Sequence, residues 1–334
     1  MTKKVRIGLS GGVDSAVAAY LLKKEGYNVS AYTLVFGPWG RDLEDVKKVA
    51  LALGISLKVI QADALFRTKI INPFVEEYRR GRTPSPCPLC NPLKFGVGLE
   101  LAGGDGYVAS GHFARVRDGA LYAAPHEKDQ SYFLARLSPE LLQRIIFPLA
   151  EMTKEDVRFE AARAGLPVAE KGESQDVCFI PHGDYRVFLE EEGFSPCKGR
   201  VLNTDGKTIG EHSGYFHYTR GQRFRQGGTP ERLYVTGSDP LENILYIGPD
   251  ESLWSRELKG TGFQSLVSSD ELAGPLLAKV RSRDSLHPCR LERSGEDFRL
   301  LFEEDVRAVT PGQLAVLYMA SKAGFRVAGS GWIL

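Results

Sequence analysis

Residues 4–17 read KVRIGLSGGVDSAV, and this stretch decides the fold. Val5, Ile7 and Leu9 alternate with Lys4, Arg6 and Gly8 at the two-residue period of a strand. Ser10-Gly11-Gly12 breaks the pattern. Val13, Ala16, Val17, Tyr20 and Leu21 then recur at the i, i+3, i+4 spacing of one helix face, with Gly26 as the stop signal. Strand, glycine turn and helix in that order bring backbone N–H groups and a helix N-terminus to one point, which suits phosphate oxygens. The six residues Ser10, Gly11, Gly12, Val13, Asp14 and Ser15 do not follow the G-x-x-x-x-G-K-[ST] pattern, because the lysine is absent and the glycines are adjacent. The plain alternative is a tight turn and an N-capped helix, with Asp14 and Ser15 satisfying backbone amides.

Working outward, a second strand is expected from Val29 to Phe36, a helix carrying Leu43, Val46, Ala50 and Leu53, a third strand from Leu57 to Ile60 and a later one from Tyr107 to Ala109. This alternation reads as an α/β doubly wound parallel sheet. Ligands of such sheets sit beyond the carboxyl ends of the strands. Ser110-Gly111-His112 follows a strand just as Ser10-Gly11-Gly12 does, so the two turns are expected to share one crevice. A helix is expected from Ile71 to Arg80. After it, RTPSPCPLCNP at 82–92 holds four prolines within nine residues, which predicts a stiff loop without regular structure. Past Leu137 the pattern is helical to about Gly165, and from about Pro196 it turns to short alternating runs that read as β-structure. The expected division is 1–195 for the sheet and a helical extension, 196–254 for a small central β domain and 255–334 for a second small β domain.

The 334 residues, 43% apolar and 25% charged, fit a multidomain globular protein. No stretch approaches the run of roughly 18 apolar residues that a membrane span needs, and MTKKVRIGLS lacks the apolar core of a secretory signal. A cytoplasmic location without membrane attachment is expected. A formal net charge of +1 supplies no overall basic field, so a nucleic acid would have to be met by local patches. Arg220, Arg223 and Arg225 form one such cluster, or else a solvated turn. Five cysteines, an odd and scattered set, do not make a disulfide framework, and Cys87 and Cys90 are the close pair.

SGGVDS after a first strand resembles the pyrophosphatase-loop (PP-loop) enzymes that split ATP into AMP and pyrophosphate. GRTPSPCPLCNPLKF, SGHFAR, KDQSYFLARL, ESQDVCFI, HSGYFHYTRGQR, KVRSR and RAVTPGQLAVLY then follow in the order found in the tRNA-specific 2-thiouridylase family, MnmA. The resemblance implies an adenine nucleotide alpha hydrolase-like domain followed by two β domains, the last a β-barrel. It implies ATP and Mg2+ as cofactors, tRNA as partner, and exchange of the 2-oxygen of a uridine for sulfur after adenylation. A sulfur donor, either a persulfide carrier or inorganic sulfide, is the other implied partner, and a monomer or weak dimer is expected. Carried over by motif, ATP lies on Gly8, Leu9, Ser10, Gly11, Gly12, Val13, Asp14, Ser15, Leu34 and Gly111. The uridine approaches Ser85, Pro86 and Cys87. The tRNA touches His112, Lys128, Asp129, Gln130, Arg281, Ser282 and Gln313. On their own chemistry, Lys128-Asp129-Gln130 offers donors and acceptors for phosphates and base edges, or is a solvated turn.

The same resemblance makes Cys90 and Cys178 the sulfur-handling pair and, with Asp14, the catalytic set. A persulfide on Cys178 would attack the adenylated C2 carbon, and Cys90 would resolve it to a disulfide. The family commonly has aspartate where Cys87 stands. Three thiolates, Cys87, Cys90 and Cys178, match a 4Fe-4S cluster with one open iron, and this is the reading taken here over the persulfide. Thiols that only pack are the third reading. Cys197 and Cys289 are read as structural filling. A second departure is FGPWGRD at Phe36–Asp42, which replaces a longer acidic insertion and bears on the adenine-side wall near Leu34. Two rivals stand beside this reading: a PP-loop synthetase that transfers ammonia, which needs none of the cysteines, and a non-catalytic RNA-binding or iron-sulfur protein.

Overall fold

The computed structural model describes residues 3–37, 43–172, 177–180, 183–225 and 232–334. Residues 38–42 of FGPWGRD and 173–176 of the ESQD string lie outside them. The chain forms two compact units, one of residues 1–70, 87–179 and 318–329, the other of residues 71–86, 180–317 and 330–334.

The first unit begins with β1 (Lys4–Gly8), α1 (Val13–Lys24), β2 (Asn28–Val35), α2 (Leu43–Leu53), β3 (Leu57–Gln61) and α3 (Asp63–Phe66). After α4 (Asn72–Arg79) in the other unit, it resumes with α5 (Cys87–Ala102), β4 (Tyr107–Ala109), β5 (Ala114–Arg117), β6 (Ala120–Ala123), α6 (Ser131–Leu134), α7 (Pro139–Leu142), β7 (Ile145–Ile146) and α8 (Lys154–Arg163). The sheet order is β3-β2-β1-β4-β7, with every pairing parallel. Because β1 lies between β2 and β4, the chain reverses direction of winding beside β1, and the crevice of the sheet opens there.

α1 is buried on more than one face. Ala16, Val17, Ala18, Ala19 and Leu22 are almost fully covered, whereas Tyr20 and Leu21, expected on the core face, are only partly buried. Small side chains let α1 approach β1 and β2 while α2 and α8 flank it. The helix stops as read: Gly26 adopts φ +84° and its N–H donates to Lys23 O at 3.0 Å.

Two expectations fail locally. The proline run is not a loop throughout, since α5 starts at Cys87 and includes Pro88, Cys90 and Pro92. The first four helical N–H groups have no partner inside the helix, so Pro88 in the first turn removes nothing, and only Pro92 deletes a helical bond. Residues 137–165 are not continuously helical either, because Ile145–Ile146 forms β7 against β4. Two β-branched residues are too short a run to show a period of two.

The second unit carries α9 (Tyr185–Glu191) and then β8 (Gly199–Leu202), β9 (Thr208–His212), β10 (Arg223–Phe224), β11 (Leu233–Asp239) and β12 (Ile244–Gly248), ordered β10-β11-β12-β8-β9 over a small core of Val201, Val235, Leu245 and Ile247. Next along the chain come β13 (Trp254–Ser265), α10 (Ser269–Leu272), β14 (Leu276–Lys279), β15 (His287–Ser294), β16 (Asp297–Arg307), β17 (Leu314–Ser321) and β18 (Gly324–Ile333), of which residues 318–329 belong to the first unit. The order β13-β16-β15-β14-β17-β18, with β13 also pairing with β18, closes a six-stranded barrel. Leu258, Leu300, Phe302, Leu314 and Val316 are buried among its strands. The sequence-level α/β sheet, central β sheet and terminal barrel are all present.

Candidate nucleotide and cysteine site

β1 ends at Gly8 and delivers Leu9 and Ser10 to the crevice. Gly11 has φ +72°, a left-handed conformation that glycine adopts without Cβ strain. Gly12 is the N-cap of α1, with φ −100° and ψ 162°, and no side chain caps the helix. The Ser15 hydroxyl donates to Gly12 O at 3.1 Å and accepts the Ser10 N–H at 3.1 Å, while the Ser10 hydroxyl lies 3.1 Å from it and accepts the Gly12 N–H at 3.4 Å. The loop thus holds its own curvature through two hydroxyls and leaves the helix N-terminus without a carboxylate cap. That is an anion cradle in form.

The second glycine turn meets the first as expected. A Cβ on Gly111 would stand 2.6 Å from Asp14 C and 2.6 Å from Ser15 N, so only glycine lets this turn lie against the start of α1. In the same turn, Ser110 Oγ is 2.7 Å from His112 Nδ1, and the His112 ring lies 6.0 Å from Phe95 and 6.2 Å from Phe147. Gly8 abuts Tyr32, Val13 is buried, and Leu34 is buried within β2.

Two lysines that sequence reading missed serve this loop. Lys154, the first residue of α8, is 9% exposed at its side chain and pairs with the Asp14 carboxylate. Asp14 therefore does not cap its helix. Lys171 pairs with Asp45 in the first turn of α2 and donates to Gly11 O at 3.2 Å. The Lys171 ammonium holds the Asp45 carboxyl below its ordinary range. Lys154 did leave a signal in sequence: in Thr153-Lys154-Glu155-Asp156 a cation opens a helix whose first turn favours carboxylates.

The cysteines separate by environment. Cys90 is buried within α5, Cys87 is half-buried at its start, and Cys178 is exposed. Among the described residues no three His, Cys, Asp or Glu side chains are grouped to hold a metal. Cys87, Cys90 and Cys178, read as ligands of a 4Fe-4S cluster, are not grouped as such a donor set. Cys289 is buried, its thiol pushed up to about 12 by that burial, and is structural filling as read. Cys197 accepts a hydrogen bond from Asn243 Nδ2 at 3.2 Å.

Several residues expected at tRNA are engaged inside the protein. The Asp129 carboxylate accepts from Ala124 N at 3.0 Å, Ser131 N at 3.0 Å and the Ser131 hydroxyl at 2.9 Å, and Ser131 lies 3.1 Å from the Tyr318 hydroxyl. Gln130 Oε1 accepts from Phe113 N at 3.0 Å. Lys128, between them in sequence, is exposed. In the second unit, Gln313 Nε2 donates to Thr83 O at 2.6 Å and Thr83 N donates to Pro311 O at 2.9 Å, which ties the strap before Ser85 and Pro86 to the turn that opens β17. Arg281 donates to Arg220 O at 2.9 Å and to Thr310, with Ser282 beside it half-buried. Arg220 turns inward to the carbonyls of Thr236 and Ser252; burial, then the neighbouring Arg281, lowers its pKa. Of the cluster read as a basic patch, Arg223 and Arg225 remain toward the surface.

The family model described as the tRNA methyl transferase HUP domain matches residues 3–182, the tRNA methyl transferase PRC-barrel domain matches 186–249, and the aminomethyltransferase beta-barrel domain matches 255–333. A tRNA-specific 2-thiouridylase MnmA of Fervidobacterium nodosum is 39% identical over 95% of this chain and 97% of its own. Those of Syntrophotalea carbinolica and Pseudothermotoga lettingae are each 41% identical, over 99% and 94% of this chain and 98% and 95% of theirs. Among the described residues no helix is long and apolar enough to cross a membrane. With a pyrophosphate-type loop at the crevice of a parallel sheet, a closed terminal barrel and relatives matched from end to end, the chain belongs to the tRNA-specific 2-thiouridylase MnmA family.

Proposed function

We propose that this chain is an ATP-dependent tRNA sulfurtransferase that adenylates O2 of the anticodon wobble uridine and replaces that oxygen with sulfur, releasing AMP and pyrophosphate. The observation that carries the reading is the Ser10–Ser15 loop, closed by two hydroxyls, uncapped at Gly12 and overlain by Gly111. Backbone N–H groups there meet the phosphates, with Asp14 and Lys154 beside them; Asp14 is the carboxylate of the loop that would hold Mg2+, which would supply charge neutralisation for the phosphates. Adenylation turns a poor leaving oxygen into AMP, so a sulfur nucleophile can displace it at C2.

The nucleophile is the terminal sulfur of a Cys178 persulfide, loaded by a persulfide carrier or inorganic sulfide with an oxidant. Its attack on C2 expels AMP and leaves the uridine joined to Cys178 through a disulfide. The Cys90 thiolate then attacks Cys178 Sγ, freeing 2-thiouridine and forming a Cys90–Cys178 disulfide, which an external thiol reduces. This order uses an exposed sulfur for loading and a covered one for resolution. The bases of an anticodon loop are unpaired, so the uridine can enter such a site at small unstacking cost. The three-domain division at about 195 and 255 and a cytoplasmic location belong to this proposal.

The family models carry a methyl-transfer description, and a PP-loop synthetase would use the same nucleotide site for ammonia transfer. One experiment separates all three: unmodified tRNA with ATP and a persulfide donor, followed by pyrophosphate release and mass spectrometry of the digested nucleosides. Wild type is expected to form 2-thiouridine with ATP dependence. Cys178→Ala should release pyrophosphate but form no thiouridine. Thiouridine formed by Cys178→Ala, or a methylated or aminated base from wild type, would overturn the proposal. Iron and acid-labile sulfide in anaerobically purified protein, lost with activity in Cys87→Ala, would restore the cluster.

A further inference from the structure

We infer that Lys171, held by Asp45, is a positioning residue that fixes the Gly11–Gly12 peptide with its N–H facing the phosphates of ATP. The inference rests on the nucleotide reading of the loop and adds to it a reason why a lysine far along the chain is built against a glycine carbonyl.

A trans peptide is planar, so its C=O and N–H point in opposite directions. Lys171 Nζ donates to Gly11 O at 3.2 Å, and the N–H of that same peptide, on Gly12, points to the Ser10 hydroxyl 3.4 Å away inside the loop. Gly11 at φ +72° and Gly12 at φ −100° flank the peptide, and with no Cβ on either side it can rotate through conformations closed to other residues. Left alone, such a peptide is free to turn its carbonyl toward the crevice and present an oxygen to an anion. Lys171 anchors the carbonyl on the outer side.

The lysine is itself held. Its ammonium pairs with the Asp45 carboxylate, which Lys48 Nζ also approaches at 4.0 Å. Asp45 belongs to the first turn of α2, and a Cβ on Gly11 would meet Asp45 Cβ and Val46 Cγ2 at 3.3 Å each. The loop glycine, the start of α2 and Lys171 therefore form one packed contact. Its carboxylate partner makes Lys171 a poor direct ligand for phosphate: a triphosphate would have to pull it from Asp45.

The test uses the full chain with selective 15N-glycine labelling, titrated with a non-hydrolysable ATP analogue and separately with adenosine. Lys171→Met is expected to shift or broaden the Gly12 amide signal before any ligand is added. It should weaken the triphosphate analogue by about tenfold to a hundredfold, the loss typical of a hydrogen bond from a charged donor, and leave adenosine affinity unchanged. Lys171→Arg should restore most of the difference, and Asp45→Asn should move both readouts the same way by less. Unchanged analogue binding in Lys171→Met overturns the inference. So does weaker binding with the Gly12 signal unmoved, because Lys171 would then act by direct contact. If wild type fails to bind the analogue, the nucleotide reading falls instead, and the ligand-free Gly12 signal still decides the orientation.

Discussion

Replacing Gly111 by alanine adds one methyl group to the closest approach in the crevice. The new Cβ would sit 2.6 Å from Asp14 C, 2.6 Å from Ser15 N and 2.8 Å from Asp14 O. These are backbone atoms at the start of a buried helix, so no rotamer change relieves the contact. Restoring an ordinary separation of 3.4 Å from 2.6 Å requires a retreat of about 0.8 Å by the Ser110–His112 turn or by α1. α1 cannot yield easily, because Ala16, Val17 and Ala18 are fully buried against the sheet. Overpacking of this kind costs about 1–3 kcal/mol, which corresponds to a fall of roughly 2–10 °C in the melting temperature of a unit of this size. The same displacement moves the phosphate cradle, and a misplacement near 1 Å can cost about a hundredfold in turnover. Thermal melting read with and without an ATP analogue, beside thiouridine formation at saturating tRNA, measures both effects. An alanine variant that melts within a degree of wild type and keeps its activity would show that the turn does not lie on the loop, and the shared crevice would be wrong.

Two further substitutions probe structure away from the phosphates. A Cβ on Gly98 of α5 would stand 2.4 Å from the Tyr32 hydroxyl and 2.6 Å from Val108 Cγ2, so Gly98→Ala should break the Tyr32–Lys94 bond (2.8 Å) and lower stability by about 1–3 kcal/mol in urea unfolding; an unchanged midpoint would refute that packing. His212 is buried, its Nδ1 accepts from Gly214 N at 3.1 Å and its Nε2 faces Asn243 O at 3.2 Å, so the folded ring is neutral and burial depresses its pKa. The unfolded ring protonates near pH 6.5 while the folded ring resists, so stability should be complete above that pH and decline as pH falls below it. His212→Gln should flatten this part of the profile, and parallel urea-midpoint curves for the two proteins from pH 8 to pH 5 would sink the assignment.

The sheet was legible because its signal is local. Val5, Ile7 and Leu9 alternate, the glycines follow at once, and β1 with α1 appears within a residue of where the pattern places it. The crevice was legible for a similar reason, since two glycine turns after two strands of one parallel sheet must lie on the same edge. What was hidden falls into two kinds. Short elements show no period: β7 is two residues long, and the β5–β6 hairpin is marked chiefly by Asp118 and Gly119, both at positive φ, a D-G turn signal that was there to be used. Side-chain partners distant in sequence leave no trace at all. Nothing near Gln313 foretells that it reaches Thr83, 230 residues away. Proline misled for the opposite reason, because its ban on helices does not extend to their first turn, where α5 places Pro88.

The loop raises a problem of charge that its own six residues cannot solve. Ser10–Ser15 contains one carboxylate and no cation, and Asp45 adds a second carboxylate beside Gly11. By Coulomb's law alone these repel a triphosphate. Lys154 answers Asp14 from 140 residues further along the chain, and Lys171 answers Asp45 from 126 residues further. With both carboxylates matched, the field left over is that of the amide dipoles in the loop and at the start of α1, which points its positive end into the crevice. The attraction for phosphate is therefore a property of the assembled first unit, not of the SGGVDS motif. The strands and glycines make a cavity of the right shape, but only when α8 and the segment after it have docked does that cavity acquire the right sign.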